Sequence, residues 1–311
     1  ARMSVVRFNH GDFPRAAADA ARAYELRDRV SERERLYITA RHLTMTGDRQ
    51  GLQQLYHLWK DTYPRDTTPR NNLASMLIYQ GDYDGAIREA LDANRLDSGM
   101  PFPYVNLCWA YLAMNRLGEA KAIAARAIEL HPGYAEARAC TYRAAYLEGD
   151  HDAMRRIEAE SKNAGAGAAD AVRLVRLRAA GATGRLRSQA TELQTVEQEA
   201  RRAGNEASFA ETLSGFALEA VAVGDHATAE RYADRMVALT GQADVPWPVP
   251  AIYYLAGRSA KASPIHAVLV KRFSGDGDFQ SSWGPIIGTA AALLLLLNGR
   301  IAGVSGMLAT T

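Results

Sequence analysis

Four turn dipeptides, Gly47-Asp48, Gly81-Asp82, Asn115-Arg116 and Gly149-Asp150, recur every 34 residues. Glycine accepts φ > 0 and aspartate can cap a following helix, so each dipeptide suits the end of one helix and the start of the next. Between the turns, apolar residues keep helical spacing. In YQGDYDGAIREALDANRLD, residues 79–97, Ala86, Ile87, Ala90, Leu91 and Ala93 share one face. Looser echoes follow less regularly at Gly11-Asp12, Gly184-Arg185, Gly224-Asp225, Gly257-Arg258 and Asn298-Gly299. A helix–turn–helix unit of this length cannot bury its apolar face alone, so successive units must stack. The expected fold is all-α, an antiparallel helix-pair solenoid forming a right-handed superhelix.

Residues 104–132, YVNLCWAYLAMNRLGEAKAIAARAIELHP, resemble the tetratricopeptide repeat (TPR) family. Its units follow W-x2-L-G-x2-Y, then A-x3-F, a late Ala and a closing Pro. Tyr104, Leu107, Cys108 and Tyr111 stand at the positions of the first helix (A), Ala120, Ala124 and Ala127 at those of the second (B), and Pro132 closes the unit. The preceding unit matches through Leu73, Ala74, Leu77, Ala86, Ala90 and Ala93, with Ser98 in place of Pro. The unit before that keeps Leu52, Tyr56, Trp59 and Pro64. Small residues let paired helices approach closely while aromatic side chains fill the space between pairs.

The repeat divides the chain. Residues 1–160 form the regular array, with turns near 11, 47, 81, 115 and 149. A Gly/Ala-rich break, SKNAGAGAADA, covers 161–171 as a linker or long inter-helix loop. Residues 172–278 read as divergent helix pairs and 279–311 as an apolar tail. The opening residues lack the apolar stretch of a secretion signal, and the absent initiator Met suggests a fragment.

The segment AYELRDRVSERERLYITARHLTMTGDRQGLQQLYHLWKDTYPRDTTPRNNLA resembles the repeat region that follows the catalytic domain in many bacterial Ser/Thr protein kinases. That resemblance implies a sensing or docking arm and no catalytic residue here. The chain has no Gly-rich phosphate loop, V-A-I-K lysine, H-R-D-x-x-x-x-N loop or D-F-G. The tail, WGPIIGTAAALLLLLNGRIAGVSGMLATT, has two readings. It is either a last helix pair turning at Asn298-Gly299 or a membrane segment, although its apolar run from Trp283 to Leu297 falls short of a full span. Residues 283–308 within it locally resemble a thiosulfate-transporter-like bacterial membrane family.

No pattern of catalysis or metal binding emerges. The seven histidines form no H-E-x-x-H and no cluster with Cys or Asp, and His131, His151 and His226 suit helix-end capping. Asp276 and Asp278 lack the remaining ligands of a calcium loop and read as a turn. Cys108 and Cys140 read as separate buried thiols, compatible with a reducing compartment. The 37 basic and 35 acidic residues nearly cancel, giving no global field toward nucleic acid or lipid. Arg173, Arg176, Arg178, Arg185 and Arg187 form a local basic cluster without interleaved aromatic residues, which reads as a solvated face.

The expected function is therefore a non-catalytic scaffold, without cofactor or metal, binding a partner peptide or helix in the concave groove lined by the A helices. The groove candidates are Asn71, Asn72, Ser75 and Ile78 in one unit and Phe102, Val105, Asn106, Trp109 and Leu112 in the next. Asn72 and Asn106 lie one repeat apart and should form a ladder, either binding a partner or bonding between helices. A carboxylate clamp like that of chaperone-binding TPR domains lacks its lysines here, leaving Arg70 and Arg138 nearby. Nucleic acid and small molecules are not expected as partners; a membrane is, if 283–308 inserts. The chain then belongs in the cytoplasm, or at a membrane through its tail. A kinase regulatory arm and a membrane-anchored accessory are the alternative readings.

Overall fold

The computed structural model describes residues 1–9, 13–182, 186–246 and 248–273. Among the described residues all regular structure is helical. In chain order the α-helices are α1 (Arg2–Asn9), α2 (Phe13–Glu25), α3 (Glu32–Thr46), α4 (Arg49–Thr62), α5 (Thr67–Gln80), α6 (Tyr83–Leu96), α7 (Pro101–Ala113) and α8 (Leu117–Leu130). They continue with α9 (Ala135–Glu148), α10 (His151–Asn163), α11 (Ala166–Ala182), α12 (Leu186–Ala203), α13 (Glu206–Ala222), α14 (His226–Asp244), α15 (Val249–Leu255) and α16 (Ser259–Phe273).

The turns explain why Gly-Asp recurs. Helix α5 ends where Gly81 adopts φ +81°, and the Asp82 N–H then donates to the Leu77 carbonyl at 3.0 Å. This closes the last carbonyls of α5 in a Schellman motif. The Asp82 carboxylate accepts from the Gly85 N–H at 2.8 Å and so caps α6. Gly149-Asp150 repeats the device with φ +73°, the bond to Ala145 at 3.0 Å and the cap on Ala153 at 2.8 Å. Gly224-Asp225 repeats it again, with the cap on Thr228 at 3.0 Å. At the third 34-residue turn Asn115 takes the left-handed conformation with φ +56°, as short Asn side chains can. The aspartates, not the histidines that follow them, do the capping, so the expected role of His151 and His226 is corrected. A residue already inside the first turn is past the Ncap position whose side chain reaches the free N–H groups.

The chain forms two compact units, one of Gln50–Arg185 and one of the described parts of Ala1–Arg49 and Leu186–Thr311. In the first unit the helices from α5 to α11 each pack on the next, and α5 packs on α7, α7 on α9 and α9 on α11. This is the one-dimensional stacking of a helix-pair solenoid. Short turns between packed neighbours make the pairs antiparallel. The residues at A and B repeat positions are its core: Leu73, Ala74, Leu107 and Cys108 from the A helices, and Ala86, Ala90, Ala120, Ala124 and Ala127 from the B helices, are at most 1% exposed. The break expected over 161–171 is narrower than read. Helix α10 runs to Asn163 and α11 starts at Ala166, with Gly165 turning the chain at φ +116°.

Cys108 and Cys140 are joined as a disulfide between α7 and α9, with Cα atoms 6.5 Å apart. That separation lies within the span such a bond requires. The expectation of separate thiols is corrected. Both are buried as expected, but their 32-residue spacing places them on facing sides of successive A helices.

In the second unit, Ser4 on α1 donates to the Ala16 carbonyl of α2 at 2.6 Å and accepts from Arg41 of α3 at 2.9 Å. Helices α13 and α14 pair around Phe209, Leu213, Phe216 and Met236, all at most 4% exposed.

Candidate functional site

The sequence-predicted residues come together on two packed A helices of the first unit. Asn71, Asn72, Ser75 and Ile78 lie on α5, and Phe102, Val105, Asn106, Trp109 and Leu112 lie on α7. Phe102 is 53% exposed, while Asn71, Asn72, Ser75, Ile78, Val105, Asn106 and Trp109 are half-buried. Leu112 is only 8% exposed and sits with the core. At 3.6 residues per turn it lies about 120° around the helix from Asn106, whereas exposed Ala113 lies within about 20° and continues the stripe.

The asparagines form a relay whose direction is fixed at one end. Asn106 Nδ2 donates to the backbone carbonyl of Asn71 and to Asn71 Oδ1, both at 3.0 Å. A carbonyl only accepts, so Asn106 must present its amino group there. Asn71 then accepts through Oδ1 and donates through Nδ2 to Asn72 Oδ1 at 3.2 Å. The two outer atoms, Asn106 Oδ1 and Asn72 Nδ2, complete no hydrogen bond among the described residues and lie at the ends of the relay. One is an acceptor and the other a donor, the complements of the N–H and C=O groups of a backbone.

Beside this relay Arg143 of α9 stacks over Trp109, its guanidinium carbon 4.3 Å from the ring centroid. Arg143 follows Trp109, as Trp109 follows Ser75, by 34 residues, so the repeat register alone could have added it to the site. Phe102 meets Tyr134 edge-on, with centroids 6.3 Å apart, and burial raises the Tyr134 phenol pKa.

The cations near the asparagines are committed elsewhere. Arg138, 8% exposed, donates through Nε and Nη2 to the Pro132 carbonyl at 3.1 and 2.8 Å. Arg70 pairs with Glu89 at 3.3 Å and Asp92 at 3.5 Å, and Lys60 also bonds Glu89. A carboxylate clamp built on Arg70 and Arg138 has no support in this arrangement. The basic cluster is likewise neutralised in part: Arg173 pairs with Asp170 at 2.9 Å and Arg176 lies 3.7 Å from Glu158. These four residues and Lys162 line a shallow cavity between α10 and α11.

Among the described residues no three His, Cys, Asp or Glu side chains gather as a metal site, and no helix is long and apolar enough to cross a membrane. The apolar tail, the Asp276/Asp278 turn and Arg185 lie outside the described residues.

No protein-family profile and no curated protein matches the chain. Solved structures similar to it include PilF of Pseudomonas aeruginosa, with 17% identity and a TM-score of 0.46 over 63% of this chain and 88% of that one. A tetratricopeptide repeat protein from Parabacteroides merdae shares 12% identity at a TM-score of 0.45, covering 85% of this chain and 98% of that one. Cut9–Hcn1 of the APC/C shares 15% identity at 0.47, covering 90% of this chain and 53% of that one. Likenesses at such identity identify no shared ligand.

Proposed function

We propose that the chain is a protein-interaction scaffold that holds an extended segment of a partner protein along the shared face of α5 and α7. The observation that carries this reading is the relay from Asn106 through Asn71 to Asn72. It presents an acceptor and a donor, each fixed in orientation, on half-buried side chains of adjacent A helices. Asn72 Nδ2 would donate to a carbonyl of the bound segment and Asn106 Oδ1 would accept from its N–H. Such bonds read backbone, so they supply affinity without demanding one sequence. Selectivity then comes from the apolar and aromatic residues alongside. Phe102 offers an exposed ring, and Trp109, already covered by Arg143 on one side, offers an indole N–H as a further donor.

The direct test is selection from a displayed library of linear peptides on the immobilised full chain. An enriched peptide is then titrated against wild type and against the Asn72→Ala/Asn106→Ala/Trp109→Ala variant. Loss of two backbone bonds and one aromatic contact weakens binding by at least about tenfold. Equal affinity for a variant with an unchanged helical spectrum removes this face from consideration.

A further inference from the structure

We propose that the Cys108–Cys140 disulfide is a redox-operated staple between consecutive helix pairs, whose state sets how α7 and α9 hold the Trp109–Arg143 stack. The position of the bond in the repeat points to this role. Cys140 follows Asn106 by 34 residues and so occupies on α9 the place that Asn106 occupies on α7. Asn106 ties its helix back to α5 through two hydrogen bonds at 3.0 Å. Cys140 ties its helix back to α7 through a covalent bond. One repeat position thus performs one mechanical task by two chemistries, and only the second can be switched by electrons.

The stack is the part of the surface that this switch reaches. Trp109 follows Cys108 directly on α7, and Arg143 lies three residues after Cys140 on α9, so the cation–π contact bridges the same two helices within a turn of the disulfide. Other contacts hold the two repeats in register when the bond is open. Tyr104 of α7 and Ala137 of α9 share a buried cluster with Ala127 of α8. Opening the bond therefore loosens the spacing of α7 and α9 without dissolving the unit. The cysteines are 1% and 0% exposed, so exchange proceeds only when the helices part locally.

The chemistry balances with ordinary thiols. A thiolate of dithiothreitol attacks one sulfur of the pair and expels the other as a thiolate. The reagent's second thiol then displaces the remaining cysteine and closes its own cyclic disulfide, leaving two protein thiols. Oxidised glutathione reverses the change by two exchanges, releasing two molecules of reduced glutathione. Neither step involves a ligand, so the proposal stands independently of the peptide-binding reading.

The test uses the full chain, alkylated in denaturant before and after dithiothreitol, with thermal unfolding and tryptophan fluorescence recorded in both states. After treatment with oxidised glutathione, neither cysteine is expected to alkylate; after reduction, both should. Cross-linking a loop of this size predicts a fall in Tm of about 5–10 °C on reduction. The fluorescence should change reversibly, and the change should vanish in Trp109→Phe. Cys108→Ala/Cys140→Ala should unfold at one Tm whatever the redox buffer. Two overturning results are available. Either both cysteines alkylate after oxidation, or the bond forms and neither Tm nor the Trp109 signal responds to its reduction.

Discussion

One amide nitrogen of Asn106 bonds both the main-chain carbonyl and the side-chain oxygen of Asn71, each at 3.0 Å, and thereby joins α7 to α5. Because both acceptors are on the preceding A helix, this side chain is a structural tie as well as a candidate contact for a ligand. Asn106→Asp tests the tie with an isosteric change. It replaces the donor by an oxygen facing two oxygens and should cost about 2 kcal/mol at neutral pH. The crowded carboxyl would bind its proton more tightly when folded than when unfolded. The deficit should therefore shrink as pH falls through the folded pKa, as denaturant unfolding at pH 7 and pH 4 would measure.

Gly81 ends α5 in the left-handed region, and a Cβ added there meets no atom within 4 Å. Gly81→Ala should therefore cost only the torsional penalty, about 1 kcal/mol, with no change in helix content. A much larger loss in urea unfolding would mean that the turn carries a tertiary contact.

Trp59 Nε1 donates to Asp66 Oδ2 at 3.1 Å, while Asp66 Oδ1 caps α5 by accepting from the Thr68 N–H at 3.0 Å. Trp59 is 2% exposed, so losing Asp66 removes a bond to a buried indole as well as the cap. Asp66→Ala should cost about 2–3 kcal/mol. Asp66→Asn keeps a capping oxygen and should cost less. The order of the two in urea unfolding is the check.

Burial raises the Glu211 carboxyl on α13 from its ordinary 4.5 to about 7. Between those values the folded chain keeps a proton that the unfolded chain has released. Stability contributed by this residue therefore falls as pH rises from about 4.5 to about 7 and is level above that. Glu211→Gln, neutral throughout, should flatten that slope and gain about 2 kcal/mol at pH 8. Unfolding of both proteins at pH 5 and pH 8 measures it.

The period and residue types of the chain made its helices legible because turn chemistry is local. Gly81, Asn115 and Gly149 took the left-handed conformation 34 residues apart, and the alanines between them packed as the core. The asparagine pairing was open in the sequence, since spacing alone does not say which oxygen an amide meets. Leu112 lies with the core because a stride of three residues drifts by about 60° per step and carries a helical stripe inward. The cysteine pairing is not legible in the sequence for a different reason. Residues 32 apart fall on facing sides of successive A helices only once the helices are stacked at their true offset, and no local signal reports that offset. His151 and His226 lie one position past the cap, which matters at a helix N-terminus, where only the Ncap side chain reaches the free N–H groups, whereas His131 does stand at the C-terminal end of α8.

The proposed role of Asn72 Nδ2 and Asn106 Oδ1 as the contact point for a partner backbone can be read at the two side chains themselves. The most direct measurement follows the side-chain amide resonances of 15N-labelled full chain as a library-selected peptide is titrated in. The Asn72 amide protons should shift in proportion to occupancy, and Asn72→Ala should weaken binding of the peptide. Saturating binding with the Asn72 and Asn106 amides unmoved, and shifts confined to other helices, would contradict it.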